Sequence, residues 1–232
     1  MTHDNNNIST KDDFYIKGLL DALRRFNAKE RFYLVGHFLG NAKFTPNKVR
    51  LAELEDKLDI TPKGTFVEAA ENNIFCAMDY HLDWLNGALE LAFSPSAGGS
   101  RKDNPDRVTG TQEDIDLLIA FDTPNHLKHY HIVLIEAKGI TTFSNSQMNS
   151  KMKRLNDIFF VGGGKPRFNN LEVHLVLAEP HRQHPKLILP GKPWNPKYFD
   201  LPGPEKKKLL KITLTDDFGT PKSVSNWKIE KR

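Results

Sequence analysis

One apolar segment near the middle of the chain constrains the fold most strongly. Residues 131–140, HIVLIEAKGI, form a run of branched and apolar side chains interrupted by two opposite charges, Glu136 and Lys138. Such a run is typical of a strand that is buried on both faces of a sheet. Because side chains alternate between the faces of a strand, Glu136 and Lys138 share one face. A buried charge is costly unless it is paired or bound, so this face requires charged partners or a ligand.

The composition allows a globular core and excludes several protein classes. The 232 residues are 38% hydrophobic and 27% charged, which suits one domain with additions or two small domains. The single cysteine, Cys76, excludes an intramolecular disulfide framework and predicts a reducing compartment. The chain has no apolar run of about 18 residues, and its first ten residues are polar. We therefore expect a cytoplasmic protein with neither a membrane span nor a secretion signal.

Charge is distributed unevenly along the chain. Residues 1–137 carry 15 Lys and Arg against 21 Asp and Glu, a net charge of −6, whereas residues 138–232 carry 18 against 8, a net charge of +10. A basic half predicts a polyanionic partner such as nucleic acid, and a solvated basic surface is the alternative.

The N-terminal part reads as helical. Apolar spacing predicts helices over residues 11–26, 29–40 and 45–60, the third capped by Thr45, and together they make a helical region over residues 1–62. A long helix is predicted over residues 65–93, with Glu71 at the centre of its apolar stripe. Cys76 lies on this helix and is expected to be an inert side chain.

The remainder, residues 63–232, reads as a mixed α/β core. Strands are predicted over residues 114–121 and 131–140, joined as a hairpin, followed by a helix over 144–160 that Gly162–Gly164 ends, and by a strand over 171–178. A Pro-rich irregular segment covers residues 180–204, and two late strands end the chain. The order predicts an α/β fold with a mixed central sheet flanked by helices.

Hairpin pairing brings a second acid to the charged face. Asp116 is embedded in the preceding apolar strand and can lie beside Glu136. Two adjacent carboxylates repel, and a divalent cation relieves that repulsion; oxygen ligands favour Mg²⁺ or Mn²⁺ over zinc. Lys138 beside such a cation could hold and deprotonate a water and neutralise a phosphate, which predicts metal-assisted phosphodiester hydrolysis. The structural alternatives are a buried Glu–Lys ion pair and two charges on a solvated edge.

The pattern of Asp116 followed by Glu136-Ala137-Lys138 resembles the active-site signature of the PD-(D/E)XK nuclease superfamily, over about residues 65–178. The resemblance implies a restriction-endonuclease-like fold, a Mg²⁺-dependent nuclease activity, and the helix–strand–strand–strand–helix–strand order typical of that superfamily. One departure is that no Pro precedes Asp116. Asp114 is a possible substitute for Asp116.

The resemblance also implies residue roles. Asp116, Glu136 and the Ala137 carbonyl are expected to ligate the metal, with Glu71 as an accessory ligand. Lys138 positions the nucleophilic water, and Gln147 orients Lys138 or the phosphate. Lys151, Lys153, Arg154 and Arg101 are expected to contact nucleic acid. In the Pro-rich segment, cations interleaved with aromatic residues predict further contacts from Arg182 and, by base stacking, from Trp194. The alternative for that segment is an irregular surface loop with a packed Trp.

Two other patterns favour structural roles. His129 and His131 share a strand face that differs in parity from that of Glu136, and we expect surface or packing histidines there instead of a zinc site. The segment GGGKP at residues 162–166 lacks the phosphate-loop spacing and is read as a helix stop.

The expected function is a bacterial metal-dependent nuclease, acting on DNA in restriction, repair or defence. The alternatives are an RNA endonuclease and a non-catalytic nucleic-acid-binding or assembly module of the same fold. A homodimer or larger assembly is also expected, with residues 14–39 as the contact surface.

Overall fold

The apolar strand around Glu136 forms the centre of a five-stranded sheet. A computed structural model describes residues 17–26, 30–41, 44–93, 108, 110, 113–123, 129–138, 143–179, 194–201, 210–215 and 226–231. Its helices are α1 (Leu19–Phe26), α2 (Glu30–Phe38), α3 (Lys48–Leu58), α4 (Thr65–Asn72), α5 (Leu82–Phe93) and α6 (Asn145–Phe159). Its strands are β1 (Ile74–His81), β2 (Asp114–Asp122), β3 (Tyr130–Ala137), β4 (Phe160–Val161), β5 (Lys165–Pro166), β6 (Leu171–Glu179), β7 (Lys197–Asp200), β8 (Leu210–Thr215) and β9 (Asn226–Lys231).

The main sheet is mixed, with strand order β1-β2-β3-β6-β7. Strands β1, β2 and β3 are antiparallel neighbours. Strand β6 pairs in parallel with β3, and β7 pairs in parallel with β6. Helix α6 lies in the crossover connection from β3 to β6, since parallel neighbouring strands need a long connection. The prediction of a mixed central sheet flanked by helices is confirmed. Strands β8 and β9 pair with each other in a separate two-stranded sheet.

Each face of the sheet is covered by its own hydrophobic core. The first core joins α1, α5 and α6 to Ile132 and Leu134 of β3, and the second core joins α3 and α4 to Val133 of the same strand. The helices of the N-terminal region therefore divide between the two faces. The α1–α5 contact is close, since a Cβ on Gly87 would lie 2.9 Å from the Phe26 ring.

A buried acid ties the helices of the second core together. Glu55 of α3 is 2% exposed, and its carboxylate accepts backbone hydrogen bonds from Gly64 (2.5 Å), Thr65 (3.2 Å) and Phe66 (3.1 Å). These amides open α4, whose N-cap residue, Gly64, has no side chain with which to cap the helix. Glu55 thus supplies from another helix the acceptor that the first turn of α4 requires.

The predicted long helix over residues 65–93 is wrong. The segment forms α4, β1 and α5, and β1 pairs with β2 from Ile74–Phe121 to His81–Asp114. The alternation of β1 buries Phe75 in the first core and Cys76 in the second. A short apolar run fits a helical and a strand period equally well, and long-range pairing with β2 decided between them.

Smaller differences concern helix ends and the Pro-rich segment. The cap of α3 is Asn47, whose Oδ1 accepts from the Val49 amide at 2.9 Å, and not Thr45. Helix α6 ends at Phe159, before the glycines, which form a 3₁₀ turn. Strand β7 lies inside the segment predicted to be irregular. None of the described helices has the length and apolar character required to cross a membrane.

We predict that Glu55→Ala lowers the free energy of unfolding by about 2–3 kcal/mol, because several buried amides lose their acceptor. Glu53→Ala is the matched control, since the exposed pair of Glu53 with Arg50 on the same helix contributes less than about 1 kcal/mol. Urea denaturation followed by circular dichroism measures both variants. Equal stability of the two variants would contradict the capping role of Glu55.

Candidate active site

Several polar side chains converge at one edge of the sheet. The C-terminal ends of β1 and β3 and the N-terminal end of β2 meet there, because β2 is antiparallel to both. Helix α6 begins at the same edge after β3. We call this the carboxylate edge, defined by Asp79, Asp116, Glu136, Lys138 and Lys151.

Asp116 lies next to the Glu136-Ala137-Lys138 triplet. The amide of Ala137 donates a hydrogen bond to Asp116 Oδ2 at 2.7 Å. In register, Leu117 pairs with Ile135, so Asp116 and Glu136 occupy the next position along the two strands. Asp116 and Lys138 are half-buried, whereas Glu136 is 2% exposed. The structure thus brings Asp116 beside the backbone of the triplet and close enough to Glu136 for their charges to interact.

The buried Glu136 carboxylate is paired with a lysine from α6. Lys151 Nζ donates to Glu136 Oε1 at 2.5 Å and to the Asp114 carbonyl oxygen at 2.7 Å. Burial raises the pKa of Glu136 above its usual value; the Lys151 ammonium opposes that shift, and the charge of Asp116 adds to it. Glu136 is therefore held as an ion pair in a site where a second carboxylate is already close.

Asp79 is an acid at this edge that the sequence analysis missed. The flanking pairs Met78–Leu117 and Tyr80–Ile115 place it across from Asp116. Its backbone has φ 46°, a left-handed conformation that costs energy and that Asp tolerates better than most residues. The sequence does not point to Asp79 because the apolar spacing around it predicts a helix, where the structure has β1.

Glu71 does not reach the carboxylate edge. It lies on the exposed end of α4, on the opposite side of the sheet, and forms an ion pair with Lys48. That ion pair lowers the pKa of Glu71. The expectation that Glu71 is an accessory metal ligand depended on the long helix and fails with it. Gln147 is exposed in the first turn of α6, one turn before Lys151 and on the same helix face.

The residues predicted to contact nucleic acid differ in their exposure to solvent. Lys151 and Arg154 are buried, and Arg154 pairs with Asp83 and, at 3.6 Å, with Glu113. Both cations thus neutralise protein carboxylates instead of facing solvent. Lys153 is exposed.

Trp194 is a packing residue. It is 8% exposed, its Nε1 donates to Asn156 Oδ1 at 2.5 Å, and its ring packs edge-on against Phe159 and Phe160. A base could not stack on it without disrupting this contact. Arg101 and Arg182 lie outside the described residues.

A second polar cluster lies at the edge of the sheet opposite the carboxylate edge. It contains His129 and His131, which the sequence predicts to be surface or packing residues. His131 is 4% exposed and stacks between Phe121 (5.0 Å between centroids) and His174 (5.7 Å). Burial lowers the pKa of His131 to about 4, which the Glu172 carboxylate opposes, so the ring is neutral near pH 7. The contribution of Glu172 and His174 comes from β6 and could not be seen from the local spacing of the β3 histidines.

Comparison with known proteins identifies no relative. No protein-family model, no curated protein and no solved structure matches the chain. Function is therefore inferred from the geometry of the site.

We predict that Lys151→Met lowers the free energy of unfolding by about 3–5 kcal/mol, because it leaves the Glu136 charge buried without its partner. Adding Glu136→Gln to Lys151→Met removes that charge and should restore most of the loss. Lys153→Met, on the exposed face of the same helix, should change stability by less than about 0.5 kcal/mol. Urea denaturation of the four proteins decides the question: an unchanged stability of Lys151→Met would show that the pair does not stabilise the fold.

Proposed function

We propose that the protein is a metal-dependent nuclease whose active site is the carboxylate edge. The observation that carries the proposal is the 2.7 Å hydrogen bond from the Ala137 amide to Asp116, because it joins the acid of β2 to the residue between Glu136 and Lys138. An acid pair with a lysine on the same strand face is the arrangement that phosphodiester hydrolysis assisted by a hard cation requires.

The residues at this edge fit a divalent cation. The donors are carboxylate and carbonyl oxygens, which Mg²⁺ and Mn²⁺ prefer. The five residues that define the carboxylate edge are three acids and two lysines, a formal net charge of −1. Asp116, Glu136 and the Ala137 carbonyl would hold the cation, which would lower the pKa of a bound water and polarise the phosphate.

The protein side chains have distinct roles in this proposal. Lys138, half-buried directly after the end of β3, holds the attacking water and stabilises the negative charge that develops on the phosphate. Lys151 acts through Glu136, since its ammonium fixes the orientation of that carboxylate. Gln147, exposed one turn earlier on α6, is placed to orient a phosphate that approaches the edge.

The element order supports a restriction-endonuclease-like core. From α4 to β6 the described helices and main-sheet strands run α4-β1-α5-β2-β3-α6-β6. Helix α5 between β1 and β2, and the short strands β4 and β5 between α6 and β6, depart from the order typical of the PD-(D/E)XK superfamily. DNA remains the proposed substrate because the C-terminal 95 residues are basic. A role in restriction, repair or defence stays a prediction.

One observation favours a non-catalytic nucleic-acid-binding module instead. The Lys151 ammonium already contacts Glu136 Oε1 and balances its charge, so the fold does not need a cation at that oxygen. In that case the carboxylate edge would be a structural ion-pair network, and no metal would bind to it.

We predict that the protein cleaves nucleic acid in Mg²⁺ or Mn²⁺ and that EDTA abolishes cleavage. Plasmid DNA, linear DNA, single-stranded DNA and RNA, each at a stated salt concentration, identify the substrate class. Asp116→Asn and Lys138→Met should each lower the cleavage rate at least 100-fold without loss of folding.

Asp122→Asn is the matched control for this assay, because Asp122 lies at the other end of β2, where it faces Asn73. Its cleavage rate should equal that of the wild type. Cleavage by Asp116→Asn at the wild-type rate would refute the active-site assignment. Nucleic-acid binding without cleavage, together with no heat of Mn²⁺ binding in calorimetry, would establish the non-catalytic module.

We also propose that α2 mediates self-association. Leu34, Val35, Phe38 and Leu39 are 49–91% exposed, and contiguous apolar surface of this kind marks interaction sites. Leu19, Leu20 and Leu23 of α1 are buried in the first core, so the contact surface predicted over residues 14–39 is restricted to its second half.

Phe38→Glu should convert a dimer to a monomer in light scattering, because it places a charge in the buried centre of the interface. Val49→Glu, at an exposed apolar position on α3, is the control and should leave the mass unchanged. A monomeric wild type, or a dimer that both variants leave intact, would exclude α2 as the interface.

A further inference from the structure

The histidine cluster lines an open cavity at the edge of the sheet opposite the carboxylate edge. The cavity has a volume of about 600 Å³. It is lined by the N-terminal ends of β3 and β6, by Thr123 directly after β2, and by the turn that follows α3. His131 lies in β3 and His129 directly precedes that strand, whereas Glu172 and His174 lie in β6. The parallel pairing of His131 with Glu172 and of Val133 with His174 brings these side chains together.

Three of the side chains, His129, His131 and Glu172, offer ligand atoms that all lie within 4.8 Å of one another. His131 Nδ1 lies 3.4 Å from His174 Nε2 and 3.7 Å from Glu172 Oε2. Glu172 Oε2 lies 4.0 Å from His174 Nε2, and Glu172 Oε1 lies 3.0 Å from His129 Nε2. Ligands held 2.0–2.1 Å from a tetrahedral zinc ion are roughly 3.3–3.4 Å apart, so small side-chain movements would complete the coordination.

The surroundings fix the His131 ring in the orientation that a ligand requires. Its Nε2 is hydrogen-bonded to the Thr123 hydroxyl at 3.0 Å, which leaves Nδ1 directed at His174 and Glu172. Stacking on Phe121, with 13° between the ring planes, prevents the imidazole from turning away. A hydrogen bond to the distal nitrogen is how proteins orient histidine ligands of metals.

We propose that His129, His131 and Glu172 bind one transition-metal ion of the zinc class. Imidazole nitrogen suits Zn²⁺, whereas Mg²⁺ prefers oxygen, so the donor set selects against the ion expected at the carboxylate edge. These three protein ligands leave the fourth tetrahedral position to a water or to His174, whose Nε2 lies 3.4 Å from His131 Nδ1.

The bound ion would join the starts of β3 and β6. This site is independent of the carboxylate edge: His131 and Glu136 are five residues apart on β3, roughly 16 Å, and they face opposite sides of the sheet. The two metal sites, one of nitrogen donors and one of oxygen donors, can therefore be separated by choice of ion and by mutation.

Calorimetry with Zn²⁺ and visible absorption with Co²⁺ test the proposal on the full chain after treatment with a chelator and its removal. We expect one equivalent of either ion to bind in the presence of excess Mg²⁺, the Co²⁺ spectrum to show the intense bands of tetrahedral coordination, and Zn²⁺ to raise the melting temperature. His129→Asn and Glu172→Gln should each weaken binding at least tenfold. Both residues are at least one-third exposed on their side chains, so these variants should fold.

His37→Asn, at an exposed position on α2, and Asp116→Asn, at the carboxylate edge, are the controls and should bind Zn²⁺ with wild-type affinity. Absence of stoichiometric Zn²⁺ binding would overturn the proposal. So would equal affinities of the wild type, His129→Asn and Glu172→Gln, or a loss of binding in Asp116→Asn alone, which would place the ion at the other edge.

Discussion

The buried ion pair between Lys151 and Glu136 is the interaction on which the arrangement of the carboxylate edge depends. Glu136 sits at the end of the central strand, almost inaccessible to water, where an unpaired charge would be strongly destabilising. Lys151 approaches from α6 and also binds the Asp114 carbonyl oxygen. A single ammonium thus holds together the end of β3, the beginning of β2 and the second turn of the crossover helix.

The same pair explains why two expected phosphate-binding residues are buried. Lys151 and Arg154 are three residues apart and project from one face of α6, each towards carboxylates at the sheet edge. The local sequence, a helix rich in cations, suits either a nucleic-acid surface or an ion-pair network. Burial of the helix face against β2 and α5 selects the network for these two residues, and Lys153, on the other face, remains exposed.

The sheet separates two kinds of chemistry by strand direction and by face. Oxygen donors gather at one end of β3 on the side of the first core, and imidazoles gather at the other end on the side of the second core. The side-chain alternation of a single strand produces this separation, since His131 and Glu136 differ in parity. The two proposed metal sites therefore lie apart along β3 and on opposite faces of the sheet.

The sequence by itself determined the central strands, the helix after them, and the neighbourhood of Asp116, Glu136 and Lys138. These follow from short-range rules: the period of apolar residues, alternation along a strand, and the preference of consecutive strands to pair. Tertiary structure alone decided that residues 74–81 form a strand, that Asp79 and not Glu71 approaches Asp116, that Lys151 neutralises Glu136, and that Glu172 and His174 join the histidines of β3. Each of these depends on contacts between residues distant in the chain. The local spacing of residues does not reveal the energies of such contacts.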